Sequence, residues 1–216
     1  MREHIEAAYN YMVKIHEQDT TGHDIAHVRR VHKLAQTLAK SYPQSNHYVI
    51  EMAALLHDTV DDKLVHSGQA YQALNHFLDD LEVLENDKNA ILYIIKHMSF
   101  RQSKAVGQLQ TIEARIVQDA DRLDAIGAIG IARTFQFAGH FKEPMWTGET
   151  TYDDLRHHAV NLDTLAPSAI KHFYEKLLLL KDLMNTPEAK KLAQQRHEYL
   201  EQFLKQFFDE WDSHHI

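Results

Sequence analysis

The sequence predicts an all-α fold. Only 4 prolines and 7 glycines interrupt its 216 residues, and apolar residues recur mostly at three- and four-residue spacing, the period of an amphipathic helix. No alternation of apolar and polar residues extends far enough to predict a sheet. The pattern predicts helices over residues 2–17, 23–40, 46–58, 66–78, 81–98, 109–138, 151–161, 166–184 and 187–212.

Local signals mark several helix ends. Thr20-Thr21-Gly22, followed by Asp24, resembles a helix start. Ser41-Tyr42-Pro43 ends that helix, because the residue before a proline avoids helical geometry. Asn46 is then placed to cap the next helix.

The length predicts a single domain over residues 1–216, with a core of about 20–135 and a C-terminal helical part of about 151–212. Hydrophobic residues make up 44% of the chain, enough for a sizeable core. The helices that start at Pro167 and Pro187 resemble a structural wall or an oligomer surface, and a homodimer is one candidate assembly.

The net charge of −8 argues against broad nucleic-acid binding, which needs many Lys and Arg contacts to phosphate. A small anionic substrate stays open, because a metal ion and a few local cations can outweigh the wider field. The chain has no cysteine, so disulfides and thiolate sites are excluded.

No apolar run is long enough to span a membrane. The charged start, Met1 to Glu6, lacks the apolar core of a signal peptide. These features favour a cytoplasmic protein.

Three polar stretches interrupt otherwise apolar helices: His23-Asp24-Ile25-Ala26-His27, His57-Asp58 and Asp119-Ala120-Asp121-Arg122-Leu123-Asp124. His27 shares a helix face with Val31, Leu34 and Leu38, so it points inward. Each stretch alone has a structural explanation: a core histidine, a helix-terminal His with a turn-forming Asp, and an exposed acidic turn.

Together the stretches offer two imidazoles and two carboxylates. This mixture of donors suits one divalent ion, with Mn²⁺, Ni²⁺, Co²⁺, Fe²⁺, Zn²⁺ and Mg²⁺ as the candidates. A bound ion would lower the pKa of water and polarise a phosphoryl oxygen.

The order His…His-Asp…Asp on an all-helical chain resembles the signature of the HD superfamily of metal-dependent phosphohydrolases. The matching residues are His27, His57, Asp58 and Asp121. Asp121 is preferred to Asp124 because Ala120-Asp121-Arg122-Leu123 resembles the final motif of that family. The resemblance covers about residues 20–135 and implies a compact helical HD-domain fold with additional C-terminal helices.

The phrases around His57-Asp58 and Asp121 resemble a bacterial subfamily of small stand-alone HD hydrolases. Some of its members are nucleoside triphosphate pyrophosphohydrolases, so the resemblance implies cleavage of a nucleoside triphosphate to monophosphate and pyrophosphate. An HD-type phosphomonoesterase or phosphodiesterase is the nearest alternative. A non-catalytic module that binds a metal or a nucleotide is the alternative of another class.

The alarmone hydrolases, also HD proteins, carry a His-Asp-x-x-acid-acid arrangement similar to His57 through Asp62. The similarity implies that Asp61 or Asp62 orients the attacking water or accepts its proton; the alternative is a solvated turn. Lys63, His97 and Arg122 are the candidate contacts to substrate phosphate.

Two further features leave alternatives open. The histidines between His57 and Asp121 do not lie in sequences that resemble two-metal HD motifs, which favours a single ion. The segment Gly139 to Thr151 is the best loop, and it is either a lid over a pocket or a connector whose Trp146 packs on the core.

Overall fold

The computed structural model describes residues 1–60, 67–100 and 107–212. These residues form ten α-helices and no β-strand, which confirms the all-α fold. None of the described helices is long and apolar enough to cross a membrane. The helices are α1 (Arg2–His16), α2 (Ile25–Ala39), α3 (His47–Leu56), α4 (Ser67–Asp80), α5 (Glu85–His97), α6 (Ile112–Asp124), α7 (Gly127–His140), α8 (Tyr152–Arg156), α9 (Ala169–Glu175) and α10 (Pro187–Trp211).

The chain forms two compact units. The first comprises Met1–Asp19 and His23–Asp121, and the second comprises Thr20–Gly22 and the chain from Arg122 onward. The expectation that residues 1–216 form one domain stays a prediction.

Helix α3 is the centre of the first unit, because α1, α2 and α5 all pack against it. Seven of its ten residues are buried, as expected for a helix that is apolar on every side. The side chain of Asn46 accepts a hydrogen bond from the Val49 N–H at 3.2 Å, so the predicted cap is present. This burial fixes the C-terminal end of α3, where His57 follows directly.

The second unit is organised around α10, which packs against α7 and against the 3₁₀ segment Leu177–Leu183. Thr186 caps α10 and Pro187 occupies its first turn, the arrangement in which proline suits a helix start. Aromatic rings fill the space between α7, α9 and α10: Phe135, Phe173, Phe203 and Phe207.

The predicted helix over 109–138 is wrong in one respect, since it breaks between α6 and α7. Gly127 has a φ of +77°, outside the helical range, and glycine reaches this conformation without the steric cost of a side chain. A Cβ at Gly127 would lie 3.0 Å from Cγ of Arg196. Gly127 therefore interrupts the helix between α6 and α7, and its lack of a side chain leaves room for Arg196 of α10.

The predicted helix over 166–184 also breaks. Helix α9 ends at Glu175, and Lys176, with φ −140° and ψ −58°, separates it from the 3₁₀ segment Leu177–Leu183. Sequence periodicity does not detect this break, because leucines continue on both sides of it.

The loop from Gly139 to Thr151 is tied to its own unit. Trp146 is 4% exposed, and its ring lies edge-on to Phe208 with centroids 5.7 Å apart. The carbonyl of Pro144 accepts the backbone N–H of Ala169, the first residue of α9. These contacts favour the connector over the lid.

We predict that Gly127→Ala lowers the free energy of unfolding by about 1–2 kcal/mol, the cost of a left-handed backbone for a residue with a Cβ. Gly139→Ala is the matched control, because Gly139 is helical and a Cβ there meets nothing within 4 Å. The free energy of unfolding of Gly139→Ala should rise by about 0.5–1 kcal/mol, because alanine has a higher helix propensity than glycine. Urea unfolding measures the stability of both variants. Equal effects of the two substitutions would contradict the left-handed backbone at Gly127.

Candidate metal centre

His27 enters the site from the first turn of α2. The Asp24 carboxylate accepts the backbone N–H of His27 at 2.8 Å and caps the helix. His27 is 1% exposed, and Val28 and Val31 beside it are fully buried, so the imidazole points inward as the sequence predicts. The ring of His23 lies edge-on to that of His27, with centroids 5.9 Å apart.

His57 follows the last residue of α3 and is also buried. Its Nδ1–H donates to the carbonyl of Ala54 at 2.9 Å. A neutral imidazole has one N–H and one lone pair, so this bond leaves Nε2 of His57 unprotonated. That Nε2 lies 3.3 Å from Nε2 of His27.

Two carboxylates complete the cluster. Oδ2 of Asp58 lies 3.2 Å from Nε2 of His27, and Oδ1 of Asp58 lies 3.4 Å from Nε2 of His57. Asp121, on α6, places Oδ1 at 3.6 Å from the first of these nitrogens and 3.8 Å from the second. Each carboxylate therefore lies beside both imidazole nitrogens.

The spacing fits a metal ion. One ligand atom from each of His27, His57 and Asp121 lies within 4.8 Å of the others. Metal–ligand bonds of about 2.1 Å hold neighbouring ligand atoms about 3.0–3.4 Å apart, so only small shifts separate the observed contacts from coordination. Two imidazoles with two carboxylates suit first-row divalent ions.

The electrostatics of the site favour a charged Asp58. Burial raises the pKa of this carboxyl, but the neighbouring His57, His27 and His23 outweigh burial and hold the pKa well below its ordinary value. An ionised carboxylate is the form that binds a metal. The side chain of Asp121 is 34% exposed, so the cluster has a side that faces solvent.

Asp124 lies in a different environment from Asp121. It is 2% exposed, and its Oδ2 accepts a hydrogen bond from Nη1 of Arg133 at 3.0 Å. Arg133 also donates through Nε to the carbonyl of Gly22 at 2.8 Å. The Asp124 carboxylate is thus part of an ion pair within the second unit.

Three of the residues expected to assist lie outside the described residues: Asp61, Asp62 and Lys63. Arg122 is 7% exposed and donates to the carbonyl of Leu183. His97 pairs through Nδ1 with the carbonyl of Tyr93 at 2.9 Å. The substrate-binding roles of Arg122 and His97 stay predictions.

The structure adds one residue that the sequence reasoning missed. His16 ends α1 and is 1% exposed, on the same face as the buried Ala8 and Met12. Burial lowers its pKa, Asp58 raises the pKa and His57 lowers it further, and the backbone of His23 raises it as a hydrogen-bonding partner. The spacing of Ala8, Met12 and His16 by four residues was the signal that could have identified an inward histidine.

Comparisons with known proteins give a consistent result. The HD domain family model matches residues 24–126, a span that includes all four converging side chains. The uncharacterized protein YpgQ of Bacillus subtilis is 37% identical over 207 residues, which cover 93% of this chain and 90% of that protein.

Solved structures extend the similarity over nearly the whole chain. A protein of Lactobacillus plantarum is 37% identical and superposes with a TM-score of 0.84, covering 99% of each chain. A Bacillus thuringiensis protein described as an HD-superfamily hydrolase is 41% identical with a TM-score of 0.73, covering 98% of each. YpgQ in complex with ADP is 34% identical with a TM-score of 0.71, covering 93% of this chain and 95% of that one.

We predict that Asp121→Ala abolishes binding of one Mn²⁺ per chain but leaves the fold intact, because it removes a half-exposed donor. Asp124→Ala should retain the ion and lower the free energy of unfolding by about 2–3 kcal/mol, since it leaves a partly enclosed Arg133 without its partner. Metal analysis after gel filtration and urea unfolding measure the two effects. Loss of the ion only in Asp124→Ala would contradict the assignment.

Proposed function

Because the chain belongs to the HD superfamily of hydrolases, we propose that it is a metal-dependent phosphohydrolase that acts on nucleotides. The proposed reaction is cleavage of a nucleoside triphosphate to a nucleoside monophosphate and pyrophosphate. The observation that carries this proposal is the convergence of two imidazole nitrogens, 3.3 Å apart, with two carboxylates.

The proposed ligands are His27, His57, Asp58 and Asp121. When bound, a divalent ion supplies two functions: it polarises a phosphoryl oxygen, and it lowers the pKa of a bound water to near neutrality. Both functions suit hydrolysis of a phosphate bond.

His57, Asp58 and Asp121 have properties that suit this chemistry before an ion binds. The bond from His57 Nδ1 to the Ala54 carbonyl presents a lone pair at Nε2, and a fixed tautomer orients a ligand before the ion arrives. The depressed pKa of Asp58 keeps that carboxylate charged through the neutral range. The exposed side of Asp121 offers a direction from which a phosphate can approach.

Asp61 or Asp62 is the proposed group that orients the attacking water or accepts its proton. Lys63, His97 and Arg122 are the proposed cations and donors that neutralise the charge developing on phosphate. Preorganised donors of this kind are effective because they need no rearrangement during the reaction.

The nucleotide class is supported by the structure of YpgQ with ADP. That relative covers nearly all of this chain, so a nucleotide is the substrate class to test first. ADP carries a phosphoanhydride and a phosphoester, and its presence in a relative does not select the bond that is cleaved.

The product distinguishes the candidate reactions. Pyrophosphate with nucleoside monophosphate indicates cleavage between the α- and β-phosphates, whereas orthophosphate indicates a phosphomonoesterase. A binding module would load metal and nucleotide without any product.

We predict that the wild-type protein with Mn²⁺ releases pyrophosphate from at least one nucleoside triphosphate, and that Asp58→Ala lowers the rate by at least ~100-fold, beyond the effect of losing a group that only supports a ligand. Ion chromatography should measure pyrophosphate and orthophosphate separately across a nucleotide panel.

Asp163→Ala is the control, because Asp163 is exposed and lies in the 3₁₀ segment Leu162–Thr164. Its rate should equal that of the wild type. Equal rates for wild type and Asp58→Ala would contradict the proposed site, and metal loading without product across the panel would contradict catalysis.

A further inference from the structure

His16 is a buried imidazole whose ring nitrogens make no close hydrogen bond to the described residues. It is 1% exposed, and no described residue meets the geometry of a hydrogen bond to Nδ1 or Nε2, although the backbone of His23 raises the pKa of the ring as a hydrogen-bonding partner does. An imidazole always offers a donor, and in its neutral form it also offers an acceptor. Buried polar groups in native proteins are almost always paired, with solvent or a ligand where protein groups are lacking.

The position of His16 relates it to the candidate metal centre. It ends α1, and α1 packs against both α2 and α3, the helices that lead to His27 and His57. Among charged groups, Asp58 acts on it most strongly and His57 next.

A second enclosed polar atom belongs to the same cluster. Oδ2 of Asp58 is buried and lies 3.2 Å from Nε2 of His27, whose hydrogen bond to this carboxyl lowers its pKa. A carboxylate oxygen has more than one lone pair, so it can bind an ion and still accept a hydrogen bond.

Direct coordination by His16 is not what the geometry favours. The three residues whose ligand atoms lie within 4.8 Å of one another are His27, His57 and Asp121, among the described residues. Asp58 is outside that group but places its oxygens 3.2 Å and 3.4 Å from the two imidazole nitrogens, whereas His16 makes no direct hydrogen bond to Asp58. One solvent molecule is the natural connection between two enclosed polar groups that do not touch.

We propose that His16 is a positioning residue of the metal centre: its ring binds a solvent molecule of the centre and through that molecule orients Asp58. The inference rests on the proposed metal site and adds a residue to it. It assigns the end of α1 a role that the His…His-Asp…Asp pattern does not include.

A structural role and a positioning role predict different results for His16→Phe. The phenyl ring fills a similar volume without polar atoms, and replacing unpaired polar groups by apolar ones of similar shape is neutral or stabilising. The metal-free variant should therefore unfold at the same or a higher urea concentration than the wild type. Its Mn²⁺ affinity should fall about 10-fold or more, as when a group that supports a ligand is lost.

His16→Gln tests whether hydrogen bonding is the property that matters. The Gln amide can both donate and accept, so this variant should recover Mn²⁺ affinity toward the wild-type value. A purely steric role of His16 would instead make Gln the poorer substitute.

His197→Phe is the matched control. His197 is also a buried histidine, 9% exposed, and its Nδ1 makes no hydrogen bond within the part of the chain that the structure describes. The charged groups that act on it are Glu201, Lys181, Asp182 and Glu198, and none of these belongs to the metal cluster. Its substitution should leave Mn²⁺ affinity unchanged.

The experiment is a Mn²⁺ titration followed by electron paramagnetic resonance, with urea unfolding of each metal-free variant. Weaker Mn²⁺ binding by His16→Phe with retained stability, and recovery in His16→Gln, is the expected result. Unchanged Mn²⁺ affinity in His16→Phe, or parallel loss of affinity and stability in both His16 variants, would overturn the proposal.

The titration uses Mn²⁺ alone, so it separates this inference from the proposed reaction. A wild type that binds Mn²⁺ but releases no product would contradict the proposed reaction. The Mn²⁺ affinities of the His16 variants would still decide whether His16 supports the metal centre. A wild type that releases product while His16→Phe binds Mn²⁺ normally would contradict only the role of His16. A wild type that binds no Mn²⁺ would overturn both.

Discussion

The structure depends on one electrostatic constraint: two buried imidazoles direct Nε2 atoms at each other across 3.3 Å, and two carboxylates flank the gap. The hydrogen bond to Ala54 leaves a lone pair at Nε2 of His57, and the buried Oδ2 of Asp58 needs a positive partner. One divalent ion would satisfy both groups. The helices around this point are arranged so that the four side chains can meet.

Two local interactions hold the imidazoles in place. Asp24 caps α2 and sets the first turn, in which His27 lies. Seven of the ten residues of α3 are buried, and the hydrogen bond to Ala54 fixes the ring of His57 at the end of this helix. The proposed ligands His27 and His57 thus come from a helix start and a helix end, where side chains converge more easily than along one face of a single helix.

Sequence reasoning predicted what depends on periodicity and local signals. The all-α fold is confirmed, and so are the cap at Asn46 and the start of α10 at Pro187. The break at Gly127 was missed, because it depends on the approach of Arg196 from a distant helix. For the candidate site, spacing identified the inward face of His27, but the ion pair between Asp124 and Arg133 needed tertiary contacts. His16 was missed for the same reason: a histidine that continues an apolar face looks like an ordinary core residue, and its relation to Asp58 depends on tertiary packing.

The proposed function requires one ion held by His27, His57, Asp58 and Asp121, and crystals grown with Mn²⁺ test this most directly. An anomalous-difference map collected near the manganese edge should show one peak per chain, about 2.1 Å from Nε2 of both histidines and within bonding distance of both carboxylates. A peak held by other residues, or no peak at a Mn²⁺ concentration that saturates the protein in solution, would contradict the account.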